Sequence, residues 1–231
     1  DTGNGERLVA RHGADLLYCH LWKSWLIWDG RRFRVDDRGE SIRRANDTAA
    51  AIYQEAGAAA VGDADKAKAI ARWAATSQQR PRLEAMLWAA QSELPVGVDE
   101  LDQDHDLLNL ENGTLDLRTL TLREHSRNDR LTKLAPVSLD GAAQCPTWTR
   151  FLDRIFASDG ELIRFMQRAI GYTLTGGVQE HVFFLLHGSG ANGKTTLVKT
   201  IATLLGDYAR TVRVEALLAS DRSRPGAPNE D

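Results

Sequence analysis

The clearest chemistry in the sequence lies in nine consecutive residues, Gly188-Ser189-Gly190-Ala191-Asn192-Gly193-Lys194-Thr195-Thr196. They fit the pattern G-x-x-x-x-G-K-[ST], and each residue type has a task at a phosphate. Gly188, Gly190 and Gly193 lack a Cβ, so backbone N–H groups can turn inward and approach a polyanion closely. Ser189, Ala191 and Asn192 add amides to the same cradle. Lys194 brings a point charge suited to β- and γ-phosphates. The Thr195 hydroxyl suits a Mg²⁺ ligand position, and Thr196 is a lesser candidate. The ligands these residues predict are ATP and Mg²⁺. At ordinary glycine usage, a chance match in a chain this long is roughly a one-percent event. The bland alternative is a glycine-rich turn between two regular elements.

Such a loop works only if its flanks hold it. Ahead of it runs Val182-Phe183-Phe184-Leu185-Leu186-His187. A short apolar run without alternation predicts a strand buried on both faces. Behind it, Leu197, Val198, Ile201, Leu204 and Leu205 recur at helical spacing. That helix would present its N-terminal dipole and free amides to the phosphates. Gly206 stands at a C-cap position, and residues 208–214 could enter a second strand. The polar, Pro- and Gly-rich stretch 221–231 is expected to be mobile.

The 231 residues are 42% hydrophobic and 26% charged, enough for one large or two small cores. The net charge of -3 means that any nucleic-acid contact must come from a local patch. Cys19 and Cys145 stand far apart with no partner at metal spacing, which predicts a reducing compartment without disulfide or zinc. No stretch reads as a membrane span or signal peptide. The opening Asp1-Thr2-Gly3-Asn4-Gly5 reads like a cut inside a longer protein.

Upstream, residues 6–18 are expected to form a helix with Leu8, Val9, Leu16 and Leu17 inward. Trp25-Leu26-Ile27-Trp28, Asp29-Gly30 and Phe33-Arg34-Val35 predict a hairpin with a type I′ turn. Trp22, Trp25 and Trp28 could stack single-stranded bases, with Arg31, Arg32 and Arg34 on phosphates; buried aromatics with solvated arginines is the favoured reading. Cys19-His20 is read as packing. Helices are expected over 46–60, capped by Asn46 or Asp47, over 63–76 and over 79–92. Arg72, Arg80 and Arg82 read as a solvated face more than a DNA contact. The acidic stretch 96–106 reads as a solvated linker, lacking the glycine and terminal glutamate of a calcium loop. Residues 107–117 alternate around Asn112-Gly113, a second hairpin, with 119–124 continuing the meander. His125 is assigned to the surface. Residues 136–146 form the expected domain boundary. Trp148, Phe151, Leu152, Ile155 and Phe156 then mark an amphipathic helix, and Asp159 caps another.

The loop, entered from Phe-Phe-Leu-Leu and left through Leu204-Leu205-Gly206-Asp207-Tyr208, resembles that of the phage/plasmid primase family of superfamily 3 helicases, to which the poxvirus primase-helicase also belongs. Leu115-Asp116-Leu117-Arg118, Leu131-Thr132-Lys133, Cys145-Pro146-Thr147-Trp148 and Gly171-Tyr172-Thr173-Leu174-Thr175-Gly176 resemble the domain that precedes the motor there. The resemblance implies an α+β N-terminal domain over 1–145, followed over 146–231 by an incomplete P-loop α/β (AAA+-like) NTPase domain. It implies an ATP-dependent replicative DNA helicase in the cytoplasm of a bacterial host, working as a ring, usually a hexamer, on single-stranded or forked DNA. It also implies a later acidic motif and an arginine finger beyond Asp231, so the chain reads as a fragment, inactive alone. Glu215 and Asp221 stand where the family places no catalytic acid. The rival reading is a non-catalytic assembly or DNA-adaptor module with a vestigial nucleotide site.

Overall fold

The computed structural model describes residues 2–213. These residues form an α+β chain with seven α-helices and two antiparallel three-stranded sheets. In order the elements are α1 (Thr2–His12), β1 (Leu16–Cys19), β2 (Ser24–Trp28), β3 (Phe33–Val35), α2 (Glu40–Ala59), α3 (Ala64–Ser77), α4 (Arg80–Ala90), β4 (Leu107–Leu110), β5 (Gly113–Asp116), β6 (Thr121–Arg123), α5 (Pro146–Ile155), α6 (Gly160–Leu174) and α7 (Lys194–Leu205). The sheet orders are β1-β2-β3 and β4-β5-β6.

The first core joins α1, α2 and α4 to one face of the first sheet through Leu8, Leu16, Trp25, Ile27, Ala49 and Met86. The expected helix over 6–18 ends at His12, because Leu16 and Leu17 pair with Ile27 and Leu26. Pairing with a strand that already offers an apolar face overrides local helical preference. The opposite face buries Cys19, Leu26, Trp28 and Phe33 with Val96 and Leu101. Trp25 and Trp28 are therefore core residues, Trp25 edge-on to Tyr18 and Trp28 tilted on Phe33. Only Trp22 of the three is exposed. Arg31 pairs with Glu111, Arg32 with Asp207 and Arg34 with Asp37. The hairpin turn is longer than two residues: Trp28 faces Phe33, and the Asp29 carboxylate accepts from the amides of Arg31 and Arg32 at 2.9 and 3.0 Å.

Helix α2 starts at Glu40, well before the expected caps at Asn46 and Asp47. Asp36 takes the capping role instead. Its carboxylate accepts from the Glu40 amide at 2.8 Å, the Ser41 amide at 2.9 Å and the Ser41 hydroxyl at 2.6 Å. Asp159 caps α6 as the sequence predicts, and Asp63, expected as the first residue of its helix, is the cap of α3. The stretch 96–106 is not a solvated linker. Val96 and Leu101 are buried, Asp102 accepts from the Thr132 amide at 2.7 Å, and Glu100 pairs with Arg130.

The second sheet forms as expected, but its two-residue turn is Glu111-Asn112, since Leu110 faces Gly113 across the ladder. Its core of Leu108, Leu110, Leu115 and Ala135 also receives Leu174 from α6 and Tyr208 from beyond α7. Helices α5, α6 and α7 close a fourth core around Leu152, Met166 and Leu197.

One expectation fails outright. Residues 182–187 form no strand: Phe183 is 85% and Leu185 77% exposed. Both sheets are complete elsewhere, and no described strand lies alongside to pair with this run. A strand needs a partner for its ladder, whatever its apolar content. Of this run Leu186 packs against the helical core, and the exposed Phe184 lies edge-on to Phe165 of α6. Similarly, residues 209–213 take no regular form after a 3-10 turn at Gly206–Tyr208. Val214, Glu215, Asp221 and the stretch 221–231 lie outside the described residues.

Two outcomes follow. Amides of Phe183 and Leu185 should exchange with solvent far faster than those of Leu108 and Leu115 in native-state hydrogen exchange; equal protection would mean the run is paired. The second concerns Asp36. Burial raises its pKa, but hydrogen bonds from Ser41, Glu40 and Arg38 outweigh that and hold it below the usual carboxylate value. Its stabilising effect is thus full above the unfolded pKa of about 3.9 and fades as pH falls through the lower folded value. Asp36→Ala should cost about 1–2 kcal/mol in urea melts at pH 7. The gap should shrink at pH 3, whereas a constant gap would assign the effect to packing.

Candidate functional site

Helix α7 begins at Lys194, directly after Gly193, whose φ of 86° lies in the left-handed region. The Leu197 amide donates to the Gly193 carbonyl at 2.9 Å and closes the first turn. Leu197 itself is buried against Leu152 and Met166, which fixes the helix on α5 and α6. Gly193 sits so close to α5 that a Cβ there would come within 2.5 Å of Ile155 Cγ2. Both the backbone angle and the contact demand glycine. Gly188 has a φ of 149°, and a Cβ there would fall 2.3 Å from the side-chain Nδ2 of Asn192. Gly190 is different, with open space where its Cβ would be.

The loop is held by its own lysine. Lys194 Nζ donates to the Gly188 carbonyl at 3.1 Å and to Asn192 Oδ1 at 2.7 Å. Such bonds between a cation and neutral acceptors on an exposed loop are modest, so they keep the ammonium near the loop without consuming it. Thr195 and Thr196 are exposed, and neither hydroxyl has a hydrogen-bond partner among the described residues.

A cleft of about 780 Å³ opens here, lined by residues 190–196 and by Phe151, Arg154 and Ile155. Of the predicted site residues, Gly190, Ala191, Asn192, Gly193, Lys194, Thr195 and Thr196 line it; Gly188 and Ser189 lie outside its wall. The lining holds two cations, Lys194 and Arg154, and no carboxylate. With the amides at the start of α7, the donor set suits a polyanion.

Sequence reasoning missed the α5 wall. The periodicity of residues 148–156 marked Phe151 and Ile155 as core, and they are half-buried against Leu152 and Leu197. That the same face turns one edge to the loop depends on tertiary packing that periodicity does not encode. Arg154 looked like any polar-face residue. The remaining predicted features do not converge on this cleft. Cys19 is buried, and His20 stands edge-on to Tyr18. Arg80 pairs with Glu84, and Arg82 lies over Trp73. His125 is not a free surface residue: its Nδ1 lies 2.8 Å from Asn109 Oδ1. Among the described residues there is no cluster of metal-ligating side chains, and no helix is long and apolar enough to cross a membrane.

The chain is similar to two viral proteins. It is 26% identical over 136 residues to "Putative helicase 121R" of Invertebrate iridescent virus 3, covering 57% of this chain and 14% of that protein. It is 27% identical over 134 residues to "Putative helicase L207/L206" of Acanthamoeba polyphaga mimivirus, covering 56% of this chain and again 14% of that protein. The chain thus spans about a seventh of the length of these curated relatives. The D5 N terminal like family matches residues 5–157, from the middle of α1 to just past α5. That stretch takes in both sheets and the helix that walls the cleft, and on it the chain belongs to the D5 N terminal like family.

Proposed function

We propose that this chain binds ATP with Mg²⁺ at residues 188–196 and serves an ATP-driven DNA helicase. The observation that carries the reading is the composition of the cleft: two cations, a helix N-terminus and no carboxylate in its lining. Lys194 would exchange the Gly188 carbonyl and Asn192 Oδ1 for phosphate oxygens, a stronger, charge-assisted pairing. Thr195, on the first turn of α7, would hold Mg²⁺ through its hydroxyl. Gly188, Ser189, Gly190, Ala191, Asn192 and Gly193 would supply amides, and Thr196 a further polar contact. The helicase names of the two viral relatives and the family membership support the wider role. DNA as partner and a homo-oligomeric ring, usually a hexamer, belong to this proposal.

Phosphoryl transfer to water also needs a carboxylate to hold the metal and a cation to neutralise the γ-phosphate in the transition state. No carboxylate lines the cleft among the described residues. The residues here therefore bind and position, and the catalytic acid and an arginine finger worth about a thousandfold or more in rate are to come from elsewhere in the parent protein. The unpaired run at 182–187 favours a second reading, in which the nucleotide site is vestigial and the chain is an assembly or DNA-adaptor module.

Calorimetry separates the two. Wild type should bind MgATP or MgADP weakly, and Lys194→Ala should bind at least about tenfold more weakly, the loss of one charge-assisted contact. Steady-state phosphate release should stay at background for both. Equal affinity in wild type and Lys194→Ala contradicts the site. A folded wild type that binds no nucleotide selects the adaptor reading, and robust turnover abolished by Lys194→Ala would show a catalytic acid inside this chain.

A further inference from the structure

Arg154 is the feature of the cleft that the phosphate-loop pattern does not explain. It stands in the last turn of α5, exposed, with no ion pair or hydrogen bond from its guanidinium among the described residues. Elsewhere the arginines near the two sheets are matched: Arg31 to Glu111, Arg32 to Asp207, Arg118 to Asp104, Arg123 to Asp129, Arg127 to Asp15 and Arg130 to Glu100. Arg154 shares a cleft wall with Lys194 and no carboxylate intervenes. Two like charges on the wall of one solvent-open concavity repel each other weakly, and a bound anion is attracted to both. Helix α5 packs closely on the loop: Ile155 and Phe151 lie against Gly193 and leave no room for a Cβ. The guanidinium is therefore carried on a helix that packs directly on the glycine loop.

We propose that Arg154 is a second phosphate-binding cation of this site, holding the polyphosphate of the ligand from the end of α5. This rests on the nucleotide reading above and deepens it: the anion is held from two elements, the loop with Lys194 and the end of α5 with Arg154. The planar guanidinium can meet two phosphate oxygens at once, which a lysine cannot do. The competing explanation is a basic residue that only complements the C-terminal dipole of α5.

The test titrates the 231-residue chain with MgATP and with inorganic tripolyphosphate, which lacks base and ribose. The variants are Lys194→Ala, Arg154→Ala and Arg154→Lys, with Arg150→Ala as a control on the same helix. Arg154→Ala should weaken both probes by about tenfold, as loss of a charge-assisted contact does. Arg154→Lys should recover part of the loss, Arg150→Ala should match wild type, and thermal melts should be unchanged in all three. Wild-type affinity in Arg154→Ala, with binding lost in Lys194→Ala, overturns the role of Arg154 and leaves the nucleotide site standing. Weakening for MgATP but not for tripolyphosphate also overturns it, by moving Arg154 to the nucleoside. No binding of either probe by wild type overturns the nucleotide reading itself.

Discussion

Asn109 holds the chain together where its parts meet. The residue is wholly buried at the centre of β4, and its amide uses all of its hydrogen-bonding capacity. Nδ2 donates to the carbonyls of Arg31 and Lys133, both at 3.0 Å. Oδ1 accepts from the Thr114 hydroxyl at 3.1 Å and lies 2.8 Å from His125 Nδ1. Its backbone amide donates to the Tyr208 hydroxyl at 3.0 Å. One side chain thereby ties the turn after β2, the second sheet and the segment after β6, and its backbone adds the turn that follows α7. Leaving such a group without partners costs about 1–3 kcal/mol for each unmet bond, so the arrangement is specified as well as stabilised.

The consequence for function is that α7 is held at both ends. At its start, Gly193 presses on Ile155 and Leu197 is buried. At its finish, Asp207 pairs with Arg32 and accepts from the Leu134 amide at 3.1 Å, and Lys133 lies over the Tyr208 ring. Burial pushes the Tyr208 phenol up to about 12, so it stays a neutral hydrogen-bonding group throughout the physiological range. The helix that carries Lys194 and Thr195 is thus a rod between the cleft and the junction of the two sheets.

Much of this was legible in residue types. The turn at Gly193, the helix behind it, the second hairpin and the cap at Asp159 all stand where local rules put them, because each rests on contacts within a few residues. What failed rests on distant partners. Leu16 and Leu17 leave the helical pattern for a strand that starts at Ser24. Asn109 looked like the solvent-facing half of an alternation, yet four segments converge on it. Asp102 and Glu100 looked like a charged linker, yet they bond to residues 130–133. Phe183 and Leu185 had the composition of a buried strand but have no neighbouring strand among the described residues. Arg154 carries no local signal, since its relation to the loop arises only when α5 packs on Gly193.

The most direct test of the site is amide NMR of the chain titrated with MgADP. Shifts should be largest at Gly190, Gly193, Lys194 and Thr195, with Phe151 and Ile155 next and Leu108 unmoved. Large shifts confined to the first sheet, or none at any ligand concentration, would contradict a nucleotide site built on this loop.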